Sequence, residues 1–255
     1  MKSFVAEKSI VREIWGKGDT ILFIFAGSAA EFALNKAVDW LYYTGRLPSD
    51  PLGRLFSTVK YARLIIFSDL DLALRSIDKI TAIHQSVEKQ RNDKIPDWAY
   101  RDVLFMLIDY SIRSYEVLER KLLITEKKEV FDVFYRVGER MGLAGLPKNY
   151  EEWLYMREAH LNEDLVKSKF TEDLYRQYKM HLGFFRFRLL IEGQILVVPE
   201  KAKTLLNLRK FSLLTPVLGF YKLLRILRLD WLFKLLIFPF KYQQEIRDLD
   251  IVQHS

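Results

Sequence analysis

The sequence predicts an all-α fold. Apolar residues recur with helical spacing through most of the 255 residues, glycine and proline are sparse, and no alternating pattern lasts long enough to build a sheet. Half of the residues are apolar and 29% are charged, which suits one large domain with a substantial core. We therefore expect one helical domain over residues 1–200, followed by a basic amphipathic C-terminal extension over residues 201–255.

The first strong helix is "TILFIFAGSAAEFALNKAVDWLYY", which is apolar nearly all round at its start and is therefore expected in the core. Its uncharged run ends at Glu31, too early to cross a bilayer. After the turn "TGRLPSDP", a helix begins with Asp50 as N-cap and Pro51 at the first helical position. The next helix, "LALRSIDKITAIHQSVEKQ", follows Ser68 and Asp71, which have the spacing of a capping box.

Four further segments complete the helical pattern. Two amphipathic helices, "IPDWAYRDVLFMLIDYSIRSYEVLERKLL" and "KKEVFDVFYRVGERMGL", precede "GLPKNYEEWLYMREAHLNEDLVKS", which opens with a loop. The helix "FTEDLYRQYKMHLGFFRFRLLIEGQIL" then runs towards Pro199. Residues 201–241 contain nine basic residues and one acid, so the net charge of +7 belongs to this tail and the remaining residues sum to −1.

Several classes of protein are excluded. The chain has no cysteine, which rules out disulfides, thiolate zinc sites, iron–sulfur clusters, c-type haem attachment and cysteine nucleophiles. "GKGDTI" lacks the third glycine of a dinucleotide fingerprint, and the sequence has no P-loop and no nucleophile elbow. Charges are scattered through the N-terminus, so we expect a mature, intracellular start and a cytoplasmic protein.

Three of the four histidines have plain interpretations. His160 lies with Glu163 and Asp164 on one helical face, which is a weak metal-site pattern, and a charged, solvent-facing patch explains "HLNED" at least as well. His181 lies within the basic and aromatic stretch "YKMHLGFFRFR" and is expected to pack or to form a hydrogen bond. His254 lies in a terminus that is expected to fray.

His84 is different because it shares a helical face with Ile77, Ile80 and Val87. One interpretation is a core histidine that bonds a backbone carbonyl. The other is an axial haem ligand, since an apolar pocket keeps the imidazole neutral and iron binds the neutral form. A haem site also needs polar side chains nearby, and Arg54 and Thr58, four residues apart on the preceding helix, would supply them.

The order of these features resembles a known family. A buried small-residue helix is followed by "DPLGRLFST" with its Arg-x-x-x-Thr, then by "AIHQSV" with the histidine, then by "IPDWAYRDVLFMLIDYS". From about Asp19 to Pro199 the chain resembles the haem-dependent oxygenase family of latex clearing protein (rubber oxygenase) and the MpaB oxygenase of mycophenolic acid biosynthesis.

The resemblance implies a globin-like core that holds haem b, and dioxygen-dependent oxidation or cleavage of a double bond in a lipophilic, often isoprenoid, substrate. Carried over by motif, His84 is the proximal iron ligand, and Arg54 and Thr58 are the catalytic and haem-pocket residues. The general base is left unassigned. The nearest acids are Glu31 and Asp39, and each is a candidate ion-pair partner for Arg54.

Two alternatives stay open at this point: a haem protein without catalysis, and a helical protein that binds lipid at a membrane surface without haem. The extension supports the second, because basic residues punctuate its leucine and aromatic runs. A helix packed on the protein's own core explains the same pattern equally well. Nucleic-acid binding is not expected, since a phosphate-tracking surface is usually more polar.

Overall fold

The computed structural model describes residues 2–43 and 49–226, and these residues form eleven helices. In chain order the helices are α1 (Ile10–Trp15), α2 (Gly18–Leu34), α3 (Val38–Tyr43), α4 (Pro51–Phe67), α5 (Leu70–Arg91), α6 (Asp97–Leu118), α7 (Ile124–Arg140), α8 (Tyr150–Glu163), α9 (Lys169–Val197), α10 (Glu200–Leu205) and α11 (Thr215–Ile226). Within the described ranges there is no sheet, only the isolated bridges Ser3–Asp69 and Asn35–Leu165. The all-α prediction is confirmed.

Helix α2 lies at the centre of the fold, packed between α6 and α9. Its burial follows from its composition, because apolar and small residues surround it on nearly every side. Small residues let its neighbours approach closely: a β-carbon added at Gly27 would lie 2.2 Å from the Tyr110 ring of α6, and one added at Gly193 of α9 would lie 3.6 Å from Ala26. The expected core helix is therefore the central element of the molecule.

Capping fixes where α4 and α5 begin. Asp50 is the N-cap of α4 and accepts a hydrogen bond from the Gly53 amide at 3.0 Å, with Pro51 in the first turn, as the sequence predicts. The N-cap of α5 is Asp69, which accepts from the Leu72 amide at 2.8 Å. Ser68, the predicted cap, is instead the C-cap of α4, because only Ser68 and Asp69 separate the two helices.

Helix α9 bends at Gly183, whose backbone has φ +72° and ψ 173°. This left-handed φ strains any residue with a β-carbon, so glycine permits the bend. The bend lies in the middle of the helix and divides it into two parts. The second part carries residues 184–197 along the cavity described below.

The chain after Pro199 folds back on the same bundle as far as the structure describes it. Ala202 of α10 is fully buried, and Glu192 of α9 accepts hydrogen bonds from the Ser212 hydroxyl at 3.0 Å and the Leu213 amide at 2.7 Å. The Tyr221 hydroxyl of α11 donates to Asp19 at 2.9 Å. The rest of the predicted extension, residues 227–255, lies outside the described residues.

None of the helices in the described part of the chain combines the length and the apolar character that a bilayer span requires.

Candidate functional site

A cavity of about 1180 Å³ lies between α2, α4, α5, α6 and α9, and α11 covers part of it. Its wall is mostly apolar, built from aliphatic and aromatic side chains of these helices. Among the described lining residues, His84 is the only histidine, Arg186 the only basic residue and Asp19 the only acid. Large apolar cavities with a few convergent polar groups are where ligands bind, so this cavity is the candidate site.

His84 reaches the cavity from α5, together with Ile80, Ile83 and Val87 of the same helix. Its imidazole packs on the Tyr100 ring of α6, with the ring centres 5.2 Å apart and the planes tilted by 59°. The predicted apolar face is therefore present. It faces the large cavity, whereas Ile77, two turns earlier, is fully buried in packed core.

Tyr100 is itself held in position. Its hydroxyl donates to Glu88 Oε1 at 3.1 Å, and the same carboxylate oxygen accepts from the Ile95 amide at 3.0 Å. Burial and the Glu88 carboxylate raise the pKa of the Tyr100 hydroxyl, so that the phenol stays protonated and keeps donating. This hydrogen bond restrains the ring that packs on His84.

Helix α4 brings Ser57 and Thr58 to the same cavity, and both are partly buried. Thr58 and His84 therefore line the same cavity. The backbone of Arg54 lies one turn before Thr58 in α4, but its side chain falls outside the described part of the structure.

Arg186 is a cavity residue that sequence reasoning missed. It lines the cavity from α9, just after the bend at Gly183, and its Nε is buried with no hydrogen-bond partner among the described residues. A buried donor costs free energy unless a polar group pairs with it, so Arg186 offers a hydrogen-bond donor to a ligand in this cavity. The available signal was its position among phenylalanines in "FFRFR", a composition that favours burial of the arginine stem.

Asp19 begins α2 beside the cavity and is buried. Its carboxylate accepts hydrogen bonds from the Thr20 amide at 2.8 Å and from the Tyr221 hydroxyl at 2.9 Å. The acids that the sequence suggested do not line the cavity: Asp39 pairs with Arg91 at 2.7 Å, and Glu31 faces away into a separate cluster. Asp19 is thus the carboxylate that the structure brings to this wall.

The separate cluster is a buried group of charges between α2, α6 and α8. Arg157 binds Glu31 through both terminal nitrogens and Asp109 at 2.9 Å, and Tyr110 donates to Glu31 at 2.7 Å. Burial alone would raise the pKa of Glu31, but the positive charge of Arg157 lowers it well below the ordinary value. The group is therefore ionised and internally paired.

The prediction that His160 lies in a solvent-facing patch is wrong, because the side chain belongs to this cluster and is 3% exposed. Its Nε2 lies 2.8 Å from Glu31 and its Nδ1 lies 2.7 Å from Asp102. Burial lowers the pKa of His160, but the two carboxylates outweigh burial and raise it to about 9. The physical reason for the error is that α8 turns this face towards carboxylates on other helices.

The structure also alters the metal pattern that the sequence suggested. Asp102, in place of Glu163, lies with His160 and Asp164 so that one ligand atom of each falls within 4.8 Å of the others. His160 has a carboxylate at each ring nitrogen, and these contacts raise its pKa and stabilise the protonated imidazole. The ion pairs account for the close approach of the three side chains.

Comparison with known proteins agrees with the resemblance drawn from the motifs. Residues 15–229 match the family model described as the catalytic domain of ER-bound oxygenase mpaB/B' and rubber oxygenase. The matched span includes α2, the cavity helices and α11. No curated protein and no solved structure shows significant similarity to the chain.

Proposed function

The chain belongs to the family of mpaB/B' and rubber oxygenase catalytic domains, and on that premise we propose that it is a haem b-dependent oxygenase. The reaction that we propose is dioxygen-dependent oxidation or cleavage of a carbon–carbon double bond in a lipophilic, isoprenoid-like small molecule. The observation that carries the proposal is the position of His84, a single histidine on the wall of a large apolar cavity that Thr58 also lines.

The residues of the cavity fit the cofactor. A volume of about 1180 Å³ exceeds the roughly 300–1,000 Å³ of ordinary ligand pockets, which leaves room for a flat macrocycle and an apolar substrate together. The apolar wall suits the porphyrin faces. The buried Nε of Arg186 suits a propionate carboxylate, since a charge-assisted hydrogen bond would satisfy both groups.

Within this proposal His84 is the proximal iron ligand. Packing on Tyr100 holds the imidazole plane, and Glu88 holds Tyr100. Second-layer contacts of this kind fix the orientation of a ligating ring. The apolar wall around His84 suits a ligating imidazole, which iron binds in its neutral form. When bound, haem supplies the dioxygen chemistry, while the protein holds the macrocycle and excludes water.

Arg54 and Thr58 are proposed to act on the polar side of the same site. Thr58 carries a hydroxyl to the cavity wall, where it can donate to a polar oxygen atom of the reactants. Arg54 is one turn away on α4 and is proposed to add positive charge near the site. Asp19 is proposed to keep Tyr221 and α11 in place at the wall through the hydrogen bond between them.

The experiment is expression of the wild type, His84→Ala and His181→Ala with an added haem precursor, followed by Soret absorbance per mole of protein. His181 is a matched control, because it is also partly buried but does not line the cavity. We expect haem in the wild type and in His181→Ala and its loss from His84→Ala. Equal haem content in all three proteins would refute the assignment of His84.

Catalysis is tested separately. The wild type with bound haem is mixed with an isoprenoid alkene, and oxygen consumption and oxidised products are measured. We expect turnover in the wild type and a large loss in Thr58→Val, which keeps the shape of threonine and removes its hydroxyl. A protein that holds haem but never consumes oxygen would instead be a non-catalytic haem protein.

A further inference from the structure

A group of large apolar side chains is exposed where the second part of α9 approaches the segment before α11. Phe184 and Phe185 follow the bend at Gly183 and are 67% and 61% exposed. Phe211 and Leu213 are 74% and 65% exposed, and Val217 of α11 is also exposed. We call these five residues the apolar face. Exposed clusters of this kind mark interaction sites more often than isolated exposed residues do.

Three residues of the apolar face line cavities, and two of these lie at the rim of the large cavity. Phe185 and Leu213 line one small surface cavity of about 470 Å³, so α9 and the segment before α11 meet there. Phe185 and Val217 also line the large cavity. Because both side chains are exposed as well, they mark a place where the large cavity reaches the surface.

Basic side chains surround the apolar face. The guanidinium of Arg188 lies 5.3 Å from the centre of the Phe184 ring, and Lys210 lies 5.7 Å from that of Phe211. From Lys179 to Val217 the sequence holds seven basic residues and two acids. Both acids are paired, Glu192 with Arg209 and Glu200 with Lys203. The region therefore carries a net positive charge around exposed aromatic and aliphatic groups.

This chemistry fits the surface of an anionic bilayer. Aromatic and aliphatic side chains enter the boundary between headgroups and acyl chains, and basic residues near the surface are attracted to anionic lipid. The sequence that follows α11, "LRLDWLFKLLIFPFKY", continues the same combination of apolar and basic residues. A protein partner would need matching acidic groups, whereas anionic lipid supplies negative charge and apolar depth together.

We propose that the apolar face docks the protein on an anionic phospholipid bilayer, with the mouth of the large cavity turned towards the lipid. A lipophilic substrate then passes from the bilayer into the cavity without crossing water. The docking goes beyond the proposed oxygenase function and needs no haem, while the route for the substrate rests on that function.

The absence of cysteine from the chain permits a site-specific test, because one introduced cysteine can be labelled alone. Full-length Leu213→Cys and Tyr155→Cys are labelled with an environment-sensitive nitrobenzoxadiazole dye. Tyr155 is the control, since it is 78% exposed on α8 and lies outside the apolar face. With vesicles of 70% phosphatidylcholine and 30% phosphatidylserine at low salt, we expect a blue shift at position 213 only.

Binding itself is measured by flotation of full-length protein with the same vesicles. We expect the double variant Phe184→Ser, Phe211→Ser to lose at least tenfold in apparent affinity, and the control Leu154→Ser, Tyr155→Ser to bind like the wild type. Pure phosphatidylcholine vesicles should bind weakly. Haem content of the double variant should equal that of the wild type, which separates failure of docking from failure of the proposed function.

Three outcomes would overturn the proposal. The first is flotation of the double variant equal to that of the wild type, because the attachment then lies elsewhere in the chain. The second is no binding to vesicles at all. The third is a dimer in the wild type that the double variant loses without any binding to vesicles, which would assign the apolar face to a second copy of this chain.

Discussion

Glu31 and Arg157 form a two-pronged ion pair inside the core, although 126 residues separate them in the sequence. Both side chains are almost completely buried, and Nη2 of Arg157 lies 2.7 Å from Oε2 of Glu31. The pair connects the central helix α2 to α8 on the side away from the cavity. A buried carboxylate of this kind depends on its cation, because water cannot replace the lost charge.

Removing the positive charge of Arg157 is therefore predicted to destabilise the folded protein. Arg157→Met leaves both Glu31 and Asp109 buried without this partner, and we expect the free energy of unfolding to fall by about 3–5 kcal/mol. Urea unfolding followed by circular dichroism measures this change. Arg113→Met is the control, because Arg113 pairs with Asp109 from a side chain that is 41% exposed, and its loss should cost about 1 kcal/mol or less.

A second prediction concerns the pH dependence of stability. His160 has a pKa of about 9 in the folded protein against an ordinary value of 6.5. Folding stabilises the protonated form of His160. Its contribution to the free energy of unfolding is therefore complete below pH 6.5 and is lost as the pH rises through about 9. The full contribution is about 3 kcal/mol. Unfolding free energies measured from pH 6 to pH 10 should show this decline.

His160→Gln provides the comparison for that measurement. Glutamine cannot change its charge in this range, so the decline between pH 6.5 and pH 9 should be much smaller in the variant. A wild type whose stability stays constant over this interval would contradict the raised pKa. The prediction does not involve haem, because His160 does not line the cavity.

The sequence predicted the elements whose causes are local. Asp50 and Pro51 mark the start of α4 because capping depends on neighbouring residues, and the composition of α2 alone required burial. The face of α5 that carries His84 was also predictable, since its spacing lies within one helix. It lines a cavity because several other helices leave a space there, which no local pattern records.

The sequence misled where charges pair across the fold. Arg157 and His160 look like surface residues because acids surround them in "REAHLNED", yet both are buried against carboxylates of α2 and α6. Periodicity assigns charged residues to solvent and contains no signal for partners on other helices, which here lie 48 to 129 residues away. Arg186 was missed for the same reason, since its setting depends on how α9 meets the cavity.

The packing of α2 against α6 gives a third prediction. Alanine at position 27 would put a β-carbon 2.2 Å from the Tyr110 ring, and that ring is held by the hydrogen bond from its hydroxyl to Glu31. We expect Gly27→Ala to lower the unfolding free energy by about 1–3 kcal/mol through overpacking. Gly219→Ala is the control in α11, where an added β-carbon meets nothing within 4 Å, and it should be neutral or slightly stabilising. Thermal unfolding of both variants measures these changes and separates overpacking at position 27 from the general effect of replacing a helical glycine by alanine.

The last prediction separates the role of Arg186 from that of an ordinary structural arginine. If its buried Nε binds a haem propionate, Arg186→Met removes a charge-assisted hydrogen bond, and haem affinity should fall by about tenfold or more. The stability of the haem-free protein should not fall in the same way. Methionine keeps much of the apolar stem and removes a buried donor without a described partner, so apoprotein stability should stay equal or rise.

Haem affinity and apoprotein stability are thus expected to respond differently to Arg186→Met, so measuring both distinguishes the two roles of the arginine. Haem titration followed by Soret absorbance gives the affinity, and urea unfolding of the haem-free protein gives the stability. Arg188→Met is the control, because Arg188 is exposed beside Phe184 and does not line the large cavity, so its haem affinity should match that of the wild type. If Arg186→Met instead destabilised the apoprotein and bound haem normally, Arg186 would serve the fold, and the propionates would need another partner on the cavity wall.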